Sequence, residues 1–198
     1  MSLSEQPGIR QLTVAEFLEI AAGRSVGRQE LVNGQVRAMS PASSTHAVIQ
    51  ANLAGLIWQH LRASGRPCRV GTEAPVVPHL HANDNVRAPD LAVTCAPMTA
   101  GRIFPDPILI IEVLSPSNQP ETWETIWACA TIPSLKEIAV VDTERARVEV
   151  FRRDSLGNWP KHGTAVEGTG EVELASIGVK LAFDDVYAGT PVMPFRPS

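Results

Sequence analysis

The chain has 198 residues, 44% hydrophobic and 19% charged, with a formal net charge of −4; this suits one soluble globular domain and excludes a disordered or strongly basic one. No apolar run reaches the roughly 20 residues of a membrane-spanning helix, and the first residues lack the basic start and apolar stretch of a signal peptide, so a cytoplasmic protein with no membrane partner is expected. Cys68, Cys95 and Cys129 stand at long spacings without a C-x-x-C pair and are expected as reduced, partly buried thiols.

Thr13, followed by Glu16 and an apolar face, is a capping box that opens a short helix over residues 13–22, ended by Gly23. Apolar alternation over 30–39 around Asn33 and Gly34 predicts a hairpin with a type I′ turn. Over 43–63, Val48, Leu53, Leu56, Ile57 and Leu61 recur at helical spacing and predict the long helix of the domain. Segments 68–77, 86–95 and 108–114 read as strands, and 121–130 as a short helix closed by Pro133. Residues 136–142 and 147–153 form a further strand pair, the second with period-two alternation. Short strands are expected near 170–174 and 179–183, then a turn at 184–187. Residues 1–190 read as a single α/β (α+β) domain, and 191–198 as a Pro-rich tail.

Two acids stand out. Asp90 follows Pro89 at the mouth of an apolar run, where an aspartate can simply satisfy loop amides. Glu112 lies inside the run 108–114, where a carboxylate is desolvated unless paired or metal-bound. If their strands are neighbours, the two carboxylates repel, raising one pKa, unless a cation joins them. Mg²⁺ or Mn²⁺ suits that place, taking oxygen ligands from one or two protein carboxylates, water and substrate phosphates. A third acid could come from Glu30 or Glu73. His46, near the start of the long helix, either faces the cleft or serves the helix cap. His79 and His81 lack a third nearby ligand for zinc, Arg145, Arg147, Arg152 and Arg153 read as a solvated strand surface, and Trp58, Trp123, Trp127 and Trp159 read as packing residues.

Together, E-L-V-N-G-Q-V-R-A-M-S-P-A-S from Glu30, the long helix opening with His46, R-A-P-D-L around Asp90, I-I-E-V-L-S-P-S around Glu112 and I-P-S-L-K-E-I-A-V-V-D followed by R-V-E-V-F-R-R resemble the Uma-type family of "putative restriction endonucleases". The resemblance runs from Val14 to Tyr187. It implies a restriction-endonuclease-like fold, with a central mixed β-sheet flanked by helices and a P-D…(D/E)-x-K metal site. Carried over, Asp90 matches the P-D aspartate, Glu112 the second acid and Glu30 the glutamate such folds often add. The lysine is missing: Leu114 shares a strand face with Glu112, Thr125 stands where a lysine displaced to the next helix would align, and no lysine lies between Glu112 and Lys136.

The expectation is a Mg²⁺- or Mn²⁺-dependent DNA endonuclease with catalytic Asp90, Glu112 and Glu30, metal held by Asp90 and Glu112, and no small-molecule cofactor. His46, Glu73, Gln119 and Thr125 are auxiliary candidates. Lysine orients the attacking water and stabilises charge on phosphorus in such sites, so its loss implies slowed or absent activity. The alternative is a catalytically inactive binding or assembly module of the same fold, as a homodimer; the absence of a clear basic stripe favours it.

Overall fold

The computed structural model describes residues 10–23, 28–116 and 119–193. Thr13 caps α1 (Val14–Gly23) reciprocally: its amide donates to Glu16 Oε2 at 2.8 Å, and the Glu16 amide donates to Thr13 Oγ1 at 3.3 Å. Strands β1 (Gln29–Val32) and β2 (Gln35–Ala38) pair across Asn33 and Gly34, whose φ angles of 49° and 78° are the left-handed pair that a type I′ turn requires. The Ser43 hydroxyl accepts the His46 amide at 3.2 Å and opens α2 (Ser44–Ala63). The buried stripe of α2 is His46, Ile49, Leu53, Ile57 and Leu61, so Ile49 takes the core position while Val48 and Leu56 flank it half-buried.

A six-stranded sheet follows, in the spatial order β3 (Arg69–Thr72), β4 (Leu91–Thr94), β5 (Pro107–Leu114), β6 (Glu137–Asp142), β7 (Arg147–Arg152) and β8 (Thr164–Glu167). Only β5 and β6 run parallel, and α3 (Gln119–Cys129) makes the crossover that a parallel pair needs. Period-two alternation sorts the sheet's two faces. Leu91, Val93, Leu109, Ile111 and Val113 pack with α2, the C-terminal hairpin β9 (Glu171–Leu174) and β10 (Val179–Ala182), and α4 (Phe183–Val186). Ala92, Ile110, Ile138 and Val140 pack with Ile126 and Cys129 of α3. A third cluster, Phe17, Leu31 and Val86, seats α1 and the first hairpin beside the approach to β4. Each fully buried aliphatic contributes about 1.5–3 kcal/mol, so the strands carrying the acids are fixed from both sides.

Several local expectations are corrected. Strand β3 stops at Thr72 because Glu73 turns to a φ of 51°, and β4 starts only at Leu91, with Val86 and Arg87 making single bridges to Leu31 and Val76. Strand β8 escaped prediction because it is a mostly exposed edge without a buried alternating face. The turn expected at 184–187 is the short helix α4. Cys68 and Cys95 are joined in a disulfide, not reduced, because they directly flank the antiparallel pair Arg69↔Thr94; Cys129 is a free, buried thiol. Arg152 and Arg153 are not a solvated surface: Arg152 Nε bonds buried Glu137 at 2.7 Å, while Arg153 donates to the carbonyls of Ala130, Ile132 and Pro133; Arg145 is exposed, as expected. Trp58 is about half exposed, whereas Trp127, itself partly exposed, still packs on Trp123 and Phe151. Met193 bridges to Ala188 and Thr190, and residues 194–198 of the expected tail lie outside the described residues. Among the described residues no helix is long and apolar enough to cross a membrane.

Candidate functional site

Strands β4 and β5 pair with Leu91 opposite Ile111, and continuing that antiparallel register one step sets Asp90 opposite Glu112. Glu112 shares the parity of Ile110 and lies on the α3 side of the sheet, while Asp90, just before β4, has its carboxylate within reach of His46 from α2. Both are buried, at 2% and 4% exposure.

Asp90 is held through both of its oxygens. Its Oδ1 accepts Arg28 Nη1 at 2.8 Å and its Oδ2 accepts the Val113 amide at 2.8 Å. His46 Nε2 lies 3.2 Å from Oδ1, although off the direction a well-formed hydrogen bond takes. Burial pushes the Asp90 pKa up, but His46, Arg28 and the Val113 amide outweigh it and hold the carboxyl at about 2. The Gln50 side chain donates to the Asp90 carbonyl at 3.0 Å, fixing the backbone from α2.

Glu112 is the opposite case. Its Oε1 is buried with no hydrogen-bond partner. Burial raises its pKa well above the usual 4.5, and the neighbouring Asp90 adds to the rise through its charge and through the hydrogen bond it accepts from the protonated Glu112 carboxyl, with a further push from the Glu30 charge; Arg28 offsets only part of it. The two acids thus differ sharply: one ionised and held, one short of a positive partner.

Glu30 has both of its own oxygens satisfied in a neighbouring network. Its Oε1 accepts the Ala88 amide at 2.9 Å, and its Oε2 lies 3.4 Å from both Arg87 Nη1 and Thr125 Oγ1. Arg87, 2% exposed, also reaches Glu124 Oε1 at 3.2 Å, and Glu124 Oε2 accepts Arg37 Nη1 at 2.7 Å. Glu30 therefore ties the hairpin and α3 to the segment carrying Asp90. Thr125 spends its hydroxyl on Glu30. Glu73 is half exposed and lies 3.9 Å from Arg28 Nη1; its amide donates to the Asp90 carbonyl at 3.1 Å. Gln119 is exposed at the first position of α3. Leu114 packs against the apolar cluster on the α3 side, and Lys136 is exposed beside the opposite end of β5, its amide on the Ile108 carbonyl.

The residue that sequence reasoning missed is Arg28. Its Nη2 donates to the Ala88 carbonyl while Nη1 holds Asp90, so Arg28, just before β1, and Glu30, within it, grip the carbonyl and the amide of the same residue. The available signal was that spacing: a cation two positions before an acid at the mouth of a predicted strand. The pairing with Asp90, 62 positions away, had no local trace.

Among the described residues no group of three or more His, Cys, Asp or Glu side chains converges on one point. A hard divalent ion needs fewer. Magnesium keeps several waters and takes one or two carboxylates with substrate phosphates, and an ionised carboxylate offers about four lone-pair positions, of which Asp90 uses only some. The orphaned Glu112 oxygen beside an ionised Asp90 fits such an ion.

Comparison with known proteins agrees with this architecture. The chain is 28% identical over 182 residues to an uncharacterized protein of Synechocystis, covering 90% of this chain and 93% of the relative. Its fold matches the crystal structure of a "putative nuclease belonging to DUF820" from Anabaena variabilis with a TM-score of 0.70 at 19% identity, over 89% of this chain and 98% of the other. The Uma2 model, described as "Putative restriction endonuclease", matches residues 14–184. The shared fold, Asp90 set opposite Glu112 where β4 begins, and a family match across nearly the whole domain agree, and the chain belongs to the Uma2 family.

Proposed function

We propose that this protein is an endonuclease that hydrolyses DNA phosphodiester bonds with Mg²⁺ or Mn²⁺ held by Asp90 and Glu112. The observation that carries this reading is the unpartnered Glu112 oxygen, buried beside an ionised Asp90; without a cation a carboxyl so placed keeps its proton, and with one it becomes a ligand. A bound divalent ion supplies a nucleophilic water at neutral pH and polarises the phosphoryl oxygen. The protein's own groups do the positioning. Arg28 and the Val113 amide fix both oxygens of Asp90, Gln50 holds its carbonyl, and the Glu30 network sets the Ala88 segment in front of it. In the reaction, water oxygen bonds phosphorus, one P–O ester bond breaks, and the departing sugar oxygen gains a proton. The test is Mg²⁺- and Mn²⁺-dependent cleavage of single- and double-stranded DNA with Asp90→Ala as control, alongside calorimetry of Mn²⁺ binding to Asp90→Ala/Glu112→Ala. Cleavage and binding that persist in the variants sink this reading.

A second reading has its own support: Thr125 and Leu114 stand where a motif lysine would be, and Asp90 already has a counter-charge in Arg28. On that reading the chain is a non-catalytic binding or assembly module, as a homodimer. Metal binding without turnover, with a doubled mass in sedimentation, is its expected result.

A further inference from the structure

The acid pair sits beside a cation with unused hydrogen-bonding capacity. Arg28 is anchored through Nη1 on Asp90 and Nη2 on the Ala88 carbonyl, but its Nε is buried without a partner. A guanidinium carries five N–H donors in one plane, and anchoring on two acceptors fixes that plane. The side chain keeps 17% exposure, so the group is held but not sealed. Among the described residues the other nearby cations are less accessible or already paired: Arg87, whose Nε is also buried without a partner, is 2% exposed and shared between Glu30 and Glu124, and Arg37 is on Glu124. Lys136 is exposed beside the opposite end of β5 from Glu112.

The unpaired groups are complementary in kind. Arg28 Nε is a donor that wants an anion, and Glu112 Oε1 is an acceptor that wants a cation. A free anion satisfies only the first, and a free metal ion only the second. A phosphodiester with its divalent counter-ion satisfies both.

Resting on the nuclease reading above and extending it to substrate capture, we propose that Arg28 is the phosphate-binding cation of this site, taking a non-bridging oxygen of the DNA backbone in place of the missing lysine. Planar guanidinium donors match phosphate oxygens in a way a threonine hydroxyl cannot. Asp90 then has a second role: it orients Arg28 as well as offering a metal ligand.

The test uses the full chain and a fluorescently labelled DNA duplex, with binding followed by anisotropy over a range of salt, once in EDTA and once in Ca²⁺, beside Mn²⁺-dependent cleavage. Arg28→Gln is expected to weaken duplex binding about 10-fold and to lower the salt slope by about one phosphate contact. Arg28→Lys, which keeps the charge but not the planar fork, should recover part of the affinity, and serves as the working comparison if the glutamine variant melts early by circular dichroism. Wild-type salt slope and affinity in folded Arg28→Gln would make Arg28 a structural counter-ion of Asp90 and overturn the proposal. So would wild-type protein that binds no duplex in either buffer. Arg28-dependent binding with no cleavage supports the proposal while the nuclease reading fails; cleavage that needs Asp90 but not Arg28 does the reverse.

Discussion

Glu112 and Glu137 are both buried, on neighbouring parallel strands, yet they are chemically unlike. Glu137 lies opposite Leu109, three residues back from Glu112 along the ladder, about 10 Å at strand rise. Its carboxylate accepts Arg152 Nε at 2.7 Å, the amides of Ala175 and Ser176 at 3.1 and 3.0 Å, and the Ser176 hydroxyl at 2.7 Å. Glu137 thereby pins the C-terminal hairpin segment to the sheet. Glu112 Oε1 has no donor among the described residues, and its carboxyl meets another acid, Asp90. Burial of an acid is thus no mark of function by itself; bonding capacity left unmet at a place where the fold could have met it is.

The largest effect that would break this contrast is expected at Asp90. Asp90→Ala should reduce Mn²⁺-dependent plasmid nicking by at least about 100-fold, more than loss of an outer-shell partner typically costs. The same change leaves Arg28 uncompensated, and urea unfolding should show a loss of about 2–3 kcal/mol, below that for a fully buried pair because Arg28 keeps some solvent contact. Glu137→Gln should cost about 2–3 kcal/mol by the same measurement, through lost charged hydrogen bonds, with cleavage per folded molecule unchanged. A drop in cleavage there would erase the distinction between the two acids.

The pH dependences sharpen it. Asp90 has its pKa depressed from 3.8 to about 2, so its contribution is complete above pH 3.8 and is lost as pH falls toward 2. That loss is about 2 kcal/mol, and acid titration of Asp90→Asn should lack it. Glu112 has its pKa raised above 4.5, so the folded state holds the proton longer than the unfolded one, and stability falls as pH rises past 4.5 by up to about 1.4 kcal/mol per pH unit. Glu112→Gln should therefore be more stable than wild type at pH 8 without metal, by about 1–2 kcal/mol, read from thermal melts. Added Mn²⁺ should raise the wild-type melting temperature and leave that of the variant unmoved. A variant less stable than wild type at pH 8 would mean Glu112 has a partner after all.

Local chemistry made much of this protein legible from residues alone. Thr13 with Glu16 wrote a capping box, Asn33 with Gly34 a hairpin turn, and period-two and helical spacings wrote the central strands and α2, because these depend on neighbours within a few positions. The same logic singled out Asp90 and Glu112, since an acid among aliphatics is anomalous wherever the chain goes. What it could not supply was the partner of each polar group. The Cys68–Cys95 disulfide, the Arg28–Asp90 pair, Glu30 closed off by Ala88 and Arg87, and the satisfaction of Glu137 all join positions set side by side by sheet register and layer packing. Tertiary structure decided which buried acid is satisfied and which is left open, because hydrogen bonds act over about 3 Å in space whatever the separation along the chain.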